Sequence, residues 1–377
     1  DGTHDSPMYV EDGYPLVTSK NIIDGKLDLS VVNYITEDDY NKINERSKVD
    51  VGNIIMPMIG TIGNPYLVEQ YTDFAIKNVA LIKFNTGKVS NKYIWYFLQS
   101  ETFKRYVASK NKGGTQKFLA LGDIRNLEIP KPSNTEQERI VGELDKIRKI
   151  IELRKKELNL LNDFIKARFV ELFGDPEHNE KGLPTSPMTE LCEIIDGDRG
   201  KNYPKQEEFS EEGFCLFLNA KNVTSNGFSF ENCMYITEEK DKILRNGKLN
   251  RGDVVLTTRG TLGNLAFYDE SVPYEHMRIN SGMVILRMKR GRITERFFIE
   301  QFKMQLASIK ERIASGSAQP QLPISTMNKI VMLVPDVELQ NQFAAVVEQT
   351  DKSKVAVQKA LNEIQLLFDS LMQKYFG

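Results

Sequence analysis

Cysteine is scarce in this chain, the spacing of metal ligands is missing, and no apolar run reaches the roughly 18–20 residues of a membrane span. The three cysteines, Cys192, Cys215 and Cys233, are odd in number, and none sits in a C-x-x-C pair. That excludes a disulfide framework and reads as reduced thiols of a cytoplasmic protein with no signal peptide. The three histidines, His4, His178 and His276, lie far apart in sequence, which argues against a metal centre. There is no G-x-x-x-x-G-K-S/T phosphate loop and no G-x-S-x-G elbow. These absences argue against an enzyme, and the expected cofactors and metals are none.

At 377 residues the chain is comfortable for two or three domains. A hydrophobic share of 40% and a charged share of 27% are those of a globular protein. A net charge of −2 neither demands nor forbids nucleic acid, so any DNA-binding face must be a local basic patch.

The strongest signal is Thr135–Gly174. Steps of four and three land on Ile140, Leu144, Ile147, Ile151, Arg154, Leu158, Leu161, Ile165, Arg168 and Leu172, of which eight are apolar. This is a heptad seam over more than four heptads, so one helix of roughly 55–60 Å is expected. Ser133 and Glu136 have capping-box spacing, and Gly174 stops the run. A seam so narrow needs a partner helix. Adding 203 gives Phe343, Val347, Thr350, Lys354, Val357, Leu361, Ile364, Phe368, Leu371 and Tyr375, again with eight apolar or aromatic residues. Asp336 stands where an N-cap belongs, and Phe376-Gly377 echoes Phe173-Gly174. Ile150, Leu153, Leu160 and Phe169 lie outside the seam and are expected to be exposed for a partner, or to widen the core.

The rest of the chain is duplicated as well. SKNI at Ser19 matches AKNV at Ala220, and YITEDD at Tyr34 matches YITEEK at Tyr235. VGNIIMPMIGTIGN ending at Asn64 matches RGDVVLTTRGTLGN ending at Asn264, and GGTQ matches GSAQ. The expected domains are 1–132 and 186–335, with long helices over 133–174 and 336–377 and a linker over 175–185. Within the first domain, strands are expected at Leu16–Ile23, Asn53–Ile59, Tyr66–Val68 and Asn78–Phe84, with helices at Thr36–Asn44 and Asn91–Lys110. Copy two opens with PMTELCEII before Asp196-Gly197, whereas copy one begins at Asp1-Gly2, so copy one is expected to lack its first element.

The repeated G-T-x-G-N turn is the main candidate contact. Its glycines allow positive φ and close approach, and its Thr and Asn either satisfy their own backbone or face a ligand. This gives Thr61 and Asn64 in copy one, and Thr261 and Asn264 in copy two. Asn64-Pro65-Tyr66 reads as a turn and not as a catalytic motif. Arg259 precedes the second turn and suits guanine or phosphate. The glycine loops add Gln116, Lys117, Gln319 and Gln321, with Lys110 and Lys112 beside the first. Arg287–Arg292 (RMKRGR) reads either as a phosphate patch or as a solvated strand end. The remaining candidates, polar or basic residues in or beside the repeated segments, are Thr3, His4, Lys20, Arg199, Lys201 and Lys221.

With the duplication, the turn and the run LEIPKPSNTEQERIVGELDKI at 127–147 in view, the chain resembles the specificity subunit of type I restriction-modification systems. The weaker echo VMLVPDVELQNQFAAVVEQTDK at 331–352 extends the resemblance over essentially all of the chain. It implies a mixed α/β (α+β) fold: two homologous target-recognition domains joined by two long antiparallel coiled-coil helices in a pseudo-twofold repeat. It also implies a double-stranded DNA target in two asymmetric halves, docking of two methyltransferase subunits, restriction subunits joined through them, and no membrane. Copy two departs from the usual helix opening, with Leu339-Gln340-Asn341-Gln342-Phe343 in place of Glu136-Gln137-Glu138-Arg139-Ile140. A coiled-coil interaction scaffold and a stand-alone DNA-binding regulator are the alternatives.

Overall fold

The computed structural model describes residues 2–3, 7–59, 62, 64–70, 73–84, 89–110, 118–289, 291–314 and 321–377. By internal contacts the chain divides into two units, Asp1–Lys156 with Gln358–Gly377, and Glu157–Val357.

Short apolar runs punctuated by turn residues make the strands of the first unit. β1 (Tyr14–Val17) passes through a one-turn helix, Ser19–Asn21, into β2 (Ile22–Ile23) and β3 (Lys26–Leu27). Between the last two, Asp24 and Gly25 hold φ of 49° and 71°, as a two-residue type I′ hairpin turn requires. The strand expected over Leu16–Ile23 is therefore interrupted. β4 (Asn33–Ile35) precedes helix Glu37–Ser47, whose first turn is capped by the Thr36 hydroxyl accepting from Asp39 N–H at 3.2 Å. β5 (Ile54–Pro57), β6 (Tyr66–Leu67), β7 (Ala75–Ile76) and β8 (Val79–Ile82) complete two sheets. Their orders are β4-β1-β7 and β6-β5-β8, with β1 parallel to β7 and the other pairs antiparallel.

The single helix expected over 91–110 is two, Asn91–Phe97 and Glu101–Lys110. Ser100 breaks it: this buried hydroxyl accepts from Phe103 N–H at 3.2 Å and so acts as an N-cap. The core of the unit packs Met56, Tyr93, Trp95, Tyr96, Phe97 and Phe103 against Ile140 and Leu144 of the first long helix and Met372 and Phe376 of the second.

The second unit repeats this plan. Its strands are β9 (Thr185–Pro187), β10 (Cys192–Asp196), β11 (Cys215–Leu218), β12 (Val223–Thr224), β13 (Gly227–Phe228), β14 (Tyr235–Ile236), β15 (Val254–Thr257), β16 (Leu265–Phe267), β17 (Met277–Ile279), β18 (Met283–Met288) and β19 (Val331–Leu333). The sheet β14-β11-β17 matches β4-β1-β7, again with one parallel pair. The other sheet has a fourth strand, in the order β10-β18-β15-β16. Among the described residues of the first unit, no strand lies beside β8 where β10 lies beside β18. Thr185, expected in the linker, belongs to β9, which pairs with β19. Helix Glu295–Ala314 runs unbroken, with no serine before Ser308 to cap a second start.

The two long helices cover Asn134–Phe173 and Val337–Phe376. All sixteen apolar seam positions are buried or half-buried: Ile140, Leu144, Ile147, Ile151, Leu158, Leu161, Ile165 and Leu172, with Phe343, Val347, Val357, Leu361, Ile364, Phe368, Leu371 and Tyr375. In the second unit the helices pair antiparallel: Lys354 donates to Asn162 at 3.2 Å, and farther along Phe173 meets Phe343 at 5.5 Å between ring centroids. Gly174 and Gly377 end the helices at φ of 77° and 87°, and their N–H groups return to Val170 and Gln373. The capping box at the first helix is only half made. Ser133 accepts from Glu136 N–H at 3.2 Å, but the Glu136 carboxylate turns to Arg139. Among the described residues, no helix is long and apolar enough to cross a membrane.

Phe169 widens the core. It is fully buried, with Phe173, Phe297 and Phe343 around it, whereas Ile150, Leu153 and Leu160 are exposed as expected. A straight helix drifts about 20° per heptad from a strict 3.5-residue seam. After four heptads the inward face has moved by almost one residue, from Arg168 and Leu172 to Phe169 and Phe173. The second helix does the same, burying Met372 and Phe376 beside Leu371 and Tyr375.

Both helix openings share one buried residue. Gln137 accepts from Ser90 N–H at 2.9 Å and donates to Pro132 O at 2.9 Å. Gln340 accepts from Thr294 N–H at 2.8 Å and donates to Arg292 O at 3.0 Å and Pro335 O at 2.8 Å. The second opening departs from the first around this glutamine but keeps it.

Candidate nucleic-acid interface

The repeated Lys-Asn pair divides its labour. Asn222 is buried; its carbonyl oxygen accepts from Asn219 N–H, and its amide donates to Ser229 O and Asn232 O at 3.1 Å each. Asn21 makes the same bonds to Thr18, Asp28 and Val31 in the first unit. The asparagine shapes the loop, and the lysine before it, Lys20 or Lys221, is left exposed.

In the second unit the G-T-L-G-N turn is held by Thr257, whose hydroxyl accepts from Asn264 N–H at 2.9 Å and donates to Thr261 O. Gly260 and Gly263 take φ of 73° and 80°. The Asn264 amide donates to Val223 O at 2.9 Å, so it ties the turn to β12. Thr261 and Arg259 are exposed. Lys221, Thr224, Ser225, Thr261, Leu262 and Asn264 line one cleft of about 470 Å³. Three residues singled out from sequence are thus brought together.

A second group surrounds the loop Asn280–Gly282. Arg199 donates to Ser281 O at 3.2 Å and pairs with Asp196 at 3.0 Å. Thr258 N–H bonds Gly282 O at 2.8 Å, which sets the adjoining Arg259 beside that loop. Asp198 is buried, and the N–H groups of Gly200 and Arg245 hold its carboxyl below the usual range against the opposing effect of burial. Gly197 has no space for a side chain, since a Cβ there would sit 2.2 Å from Asn280 O. Lys201 is exposed on the same turn.

Two cations escaped the sequence reading. The Arg245 guanidinium lies over Gly200, with Nη2 2.5 Å from where a Cβ would stand. Lys310, on helix Glu295–Ala314, lies across Gly263, with Nζ 2.9 Å from the corresponding point. Neither has a motif around it, and only the fold brings it to the turns.

The run RMKRGR is not a free phosphate patch. Arg287 binds Asp253 at 2.8 and 2.9 Å, Lys289 donates to Thr189 O, and Arg292 pairs with Glu190 at 3.2 Å. Arg290 lies outside the described residues. Deeper in the unit, Arg278 and Asp241 form a buried ion pair, with Lys248 on the same carboxylate. Burial pushes the Asp241 carboxyl up, but Lys248 and Arg278 outweigh it and hold it below the carboxylate range. Arg278 also donates to Leu244 O and Asn246 O, which fixes the backbone on both sides of Arg245.

In the first unit, Trp95 donates to Pro65 O at 2.8 Å, next to the half-buried Asn64. Thr3 is held by its backbone, accepting from Asn78 N–H and donating to Ile76 O. Lys110 pairs with Asp123 at 3.4 Å. Gln321 is exposed and bridges to Arg259. His4, Thr61, Lys112, Gln116, Lys117 and Gln319 lie outside the described residues. Among the described residues no group of His, Cys, Asp and Glu has the arrangement of a metal site.

The comparisons with known proteins agree in kind. The family model described as the type I restriction modification DNA specificity domain matches twice, at residues 9–163 and 181–366. The MjaIX specificity subunit of Methanocaldococcus jannaschii is 23% identical over 300 residues, covering 76% of this chain and 68% of its own length. A type I restriction-modification S subunit from M. genitalium superposes with a TM-score of 0.54 at 19% identity, over 98% of this chain and 90% of the other. A chain from a study of complex assembly and conformational transition of the type I system gives the same TM-score at 17% identity, over 98% and 92%. With both copies of the repeat matched by the family model, this chain belongs to the type I restriction-modification DNA specificity family.

Proposed function

We propose that this chain reads a bipartite, asymmetric DNA sequence and carries methyltransferase subunits, and through them restriction subunits, to it. Each globular domain reads one half-site, and the two long helices space the domains and dock two methyltransferase subunits. The chain itself performs no catalysis and acts in the cytoplasm. The observation that carries the reading is the cleft face of the second domain, where Lys221 and Thr261 line the cleft and Lys310 lies across the adjoining Gly263, with Arg259 set beside the loop that Arg199 contacts. Such a face offers cations for phosphates and amide and guanidinium groups for base edges. Two homologous readers with different side chains fit two unlike half-sites. Exposed Ile150, Leu153, Leu160, Leu366 and Leu367 on the helices supply apolar surface for docking.

The test is co-expression with the methyltransferase encoded beside this chain, followed by mapping of adenine methylation by long-read sequencing. A split motif with a fixed spacer is expected. A stable complex that leaves the DNA unmethylated would instead favour an interaction scaffold.

A further inference from the structure

The two domains carry different side chains at one equivalent backbone address. In the second domain Arg259 and Gln321 form an antiparallel bridge, next to the bond from Leu322 N–H to Thr258 O at 3.1 Å. In the first, Ile59 and Phe118 form the same bridge, next to the bond from Leu119 N–H to Met58 O at 2.9 Å. The register is set independently by the sheets, since β5 and β15 end at Pro57 and Thr257, two residues before each bridge. Ile59 therefore occupies the place of Arg259, and Phe118 that of Gln321.

The chemistry at this address is inverted. Arg259 and Gln321 are exposed and polar. Ile59 is half-buried against its domain's core cluster, and Phe118 leaves half of its surface, 50%, in solvent. A single exposed phenyl ring needs no explanation by itself. Its address is what counts: the backbone that presents two hydrogen-bonding side chains in one domain presents two apolar ones in the other.

We propose that Ile59 and Phe118 are an apolar reading pair that contacts the 5-methyl group of thymine, at the place where Arg259 and Gln321 address a purine. This rests on the DNA-reading function proposed above. In the major groove a guanidinium matches O6 and N7 of guanine, a glutamine amide matches N6 and N7 of adenine, and the thymine methyl is the one feature that favours an apolar partner. One half-site accordingly contains a thymine, and the other a purine, at equivalent positions relative to the two domains.

The full chain, co-expressed with its methyltransferase subunit, is used to enrich a randomised duplex pool, and the bound DNA is sequenced. F118A is expected to lower the preference for thymine at one position of one half-site by about fourfold, the worth of roughly one buried methyl-sized group. F118L keeps most of that preference, and the other half-site does not change in either variant. The double substitution I59R/F118Q turns the same position towards a purine. Because Phe118 is half exposed, its truncation opens no core cavity, and unchanged thermal unfolding of F118A confirms this. An unaltered first half-site in F118A, or changes in both half-sites, overturns the assignment. R259A separates the two layers of the claim. If it alters the second half-site while F118A leaves the first intact, only the thymine pair fails; if the wild-type chain enriches no motif, the DNA-reading function fails with it.

Discussion

Gln340→Ala tests how each globular domain is fastened to a long helix. The side chain is fully buried and makes three hydrogen bonds of 2.8–3.0 Å, to Thr294 N–H, Arg292 O and Pro335 O. Truncation leaves the Thr294 donor buried without an acceptor and takes one donor from each of two carbonyls. A stranded buried donor costs about 1–3 kcal/mol, and the carbonyls, which keep a second lone pair, add about 0.5–1. The total is about 1.5–4 kcal/mol, a factor of about ten to a thousand in local opening. Hydrogen exchange by mass spectrometry on the full chain reads this directly. Peptides covering 294–304 and 337–347 should exchange faster by about that factor, while peptides covering 89–99 should not change. Gln137→Ala is the internal control: Gln137 makes two such bonds, so its mirror effect on 89–99 should be smaller. Equal protection in wild type and Gln340→Ala, or a larger effect at Gln137, would refute the reasoning.

Asp241→Ala leaves Arg278 buried without its partner and should cost about 3–5 kcal/mol in urea unfolding. The Asp241 carboxyl is held below its ordinary value of 3.8 in the folded chain. Its contribution is therefore complete above the unfolded pKa and is lost as pH falls through the lower folded value; wild type should lose stability faster than Asp241→Asn below about pH 4, and parallel acid curves would contradict this. Lys310→Gln should lower the slope of log affinity against log salt for a 40-bp duplex by about one. An unchanged slope would remove Lys310 from the DNA face. Lengthening both long helices by one heptad should change the spacer of the methylated motif and neither half-site, so an altered half-site would refute the spacer role.

The duplication and the long helices were legible because heptads and repeats are properties of spacing alone. The limit is visible at Phe169, where the seam drifts by a residue over four heptads and the strict pattern points to Arg168 instead. The interrupted helix over 91–110 turns on a single serine, whose capping hydroxyl a count of apolar positions passes over. At the candidate site, spacing found Arg259, Thr261 and Lys221, which flank repeated glycines and asparagines. It missed Lys310 and Arg245 because their neighbours in space, Gly263 and Gly200, are 47 and 45 residues away in sequence. It also offered RMKRGR as a possible phosphate patch, since three of those cations find partners only after folding, in Asp253, Thr189 and Glu190.

The buried asparagines Asn21 and Asn222 separate two problems that proteins often solve with the same atoms. Each closes its loop with bonds to three backbone groups and contributes nothing to the outer surface. The neighbouring lysines carry no structural duty, and exposed substitutions of that sort usually change stability by less than about 0.5 kcal/mol. A new side chain at position 20 or 221 can therefore be tried by mutation without putting the loop at risk. The loop works as a socket with an exchangeable tip, so a reader of this design can drift to a new target one contact at a time while remaining folded throughout.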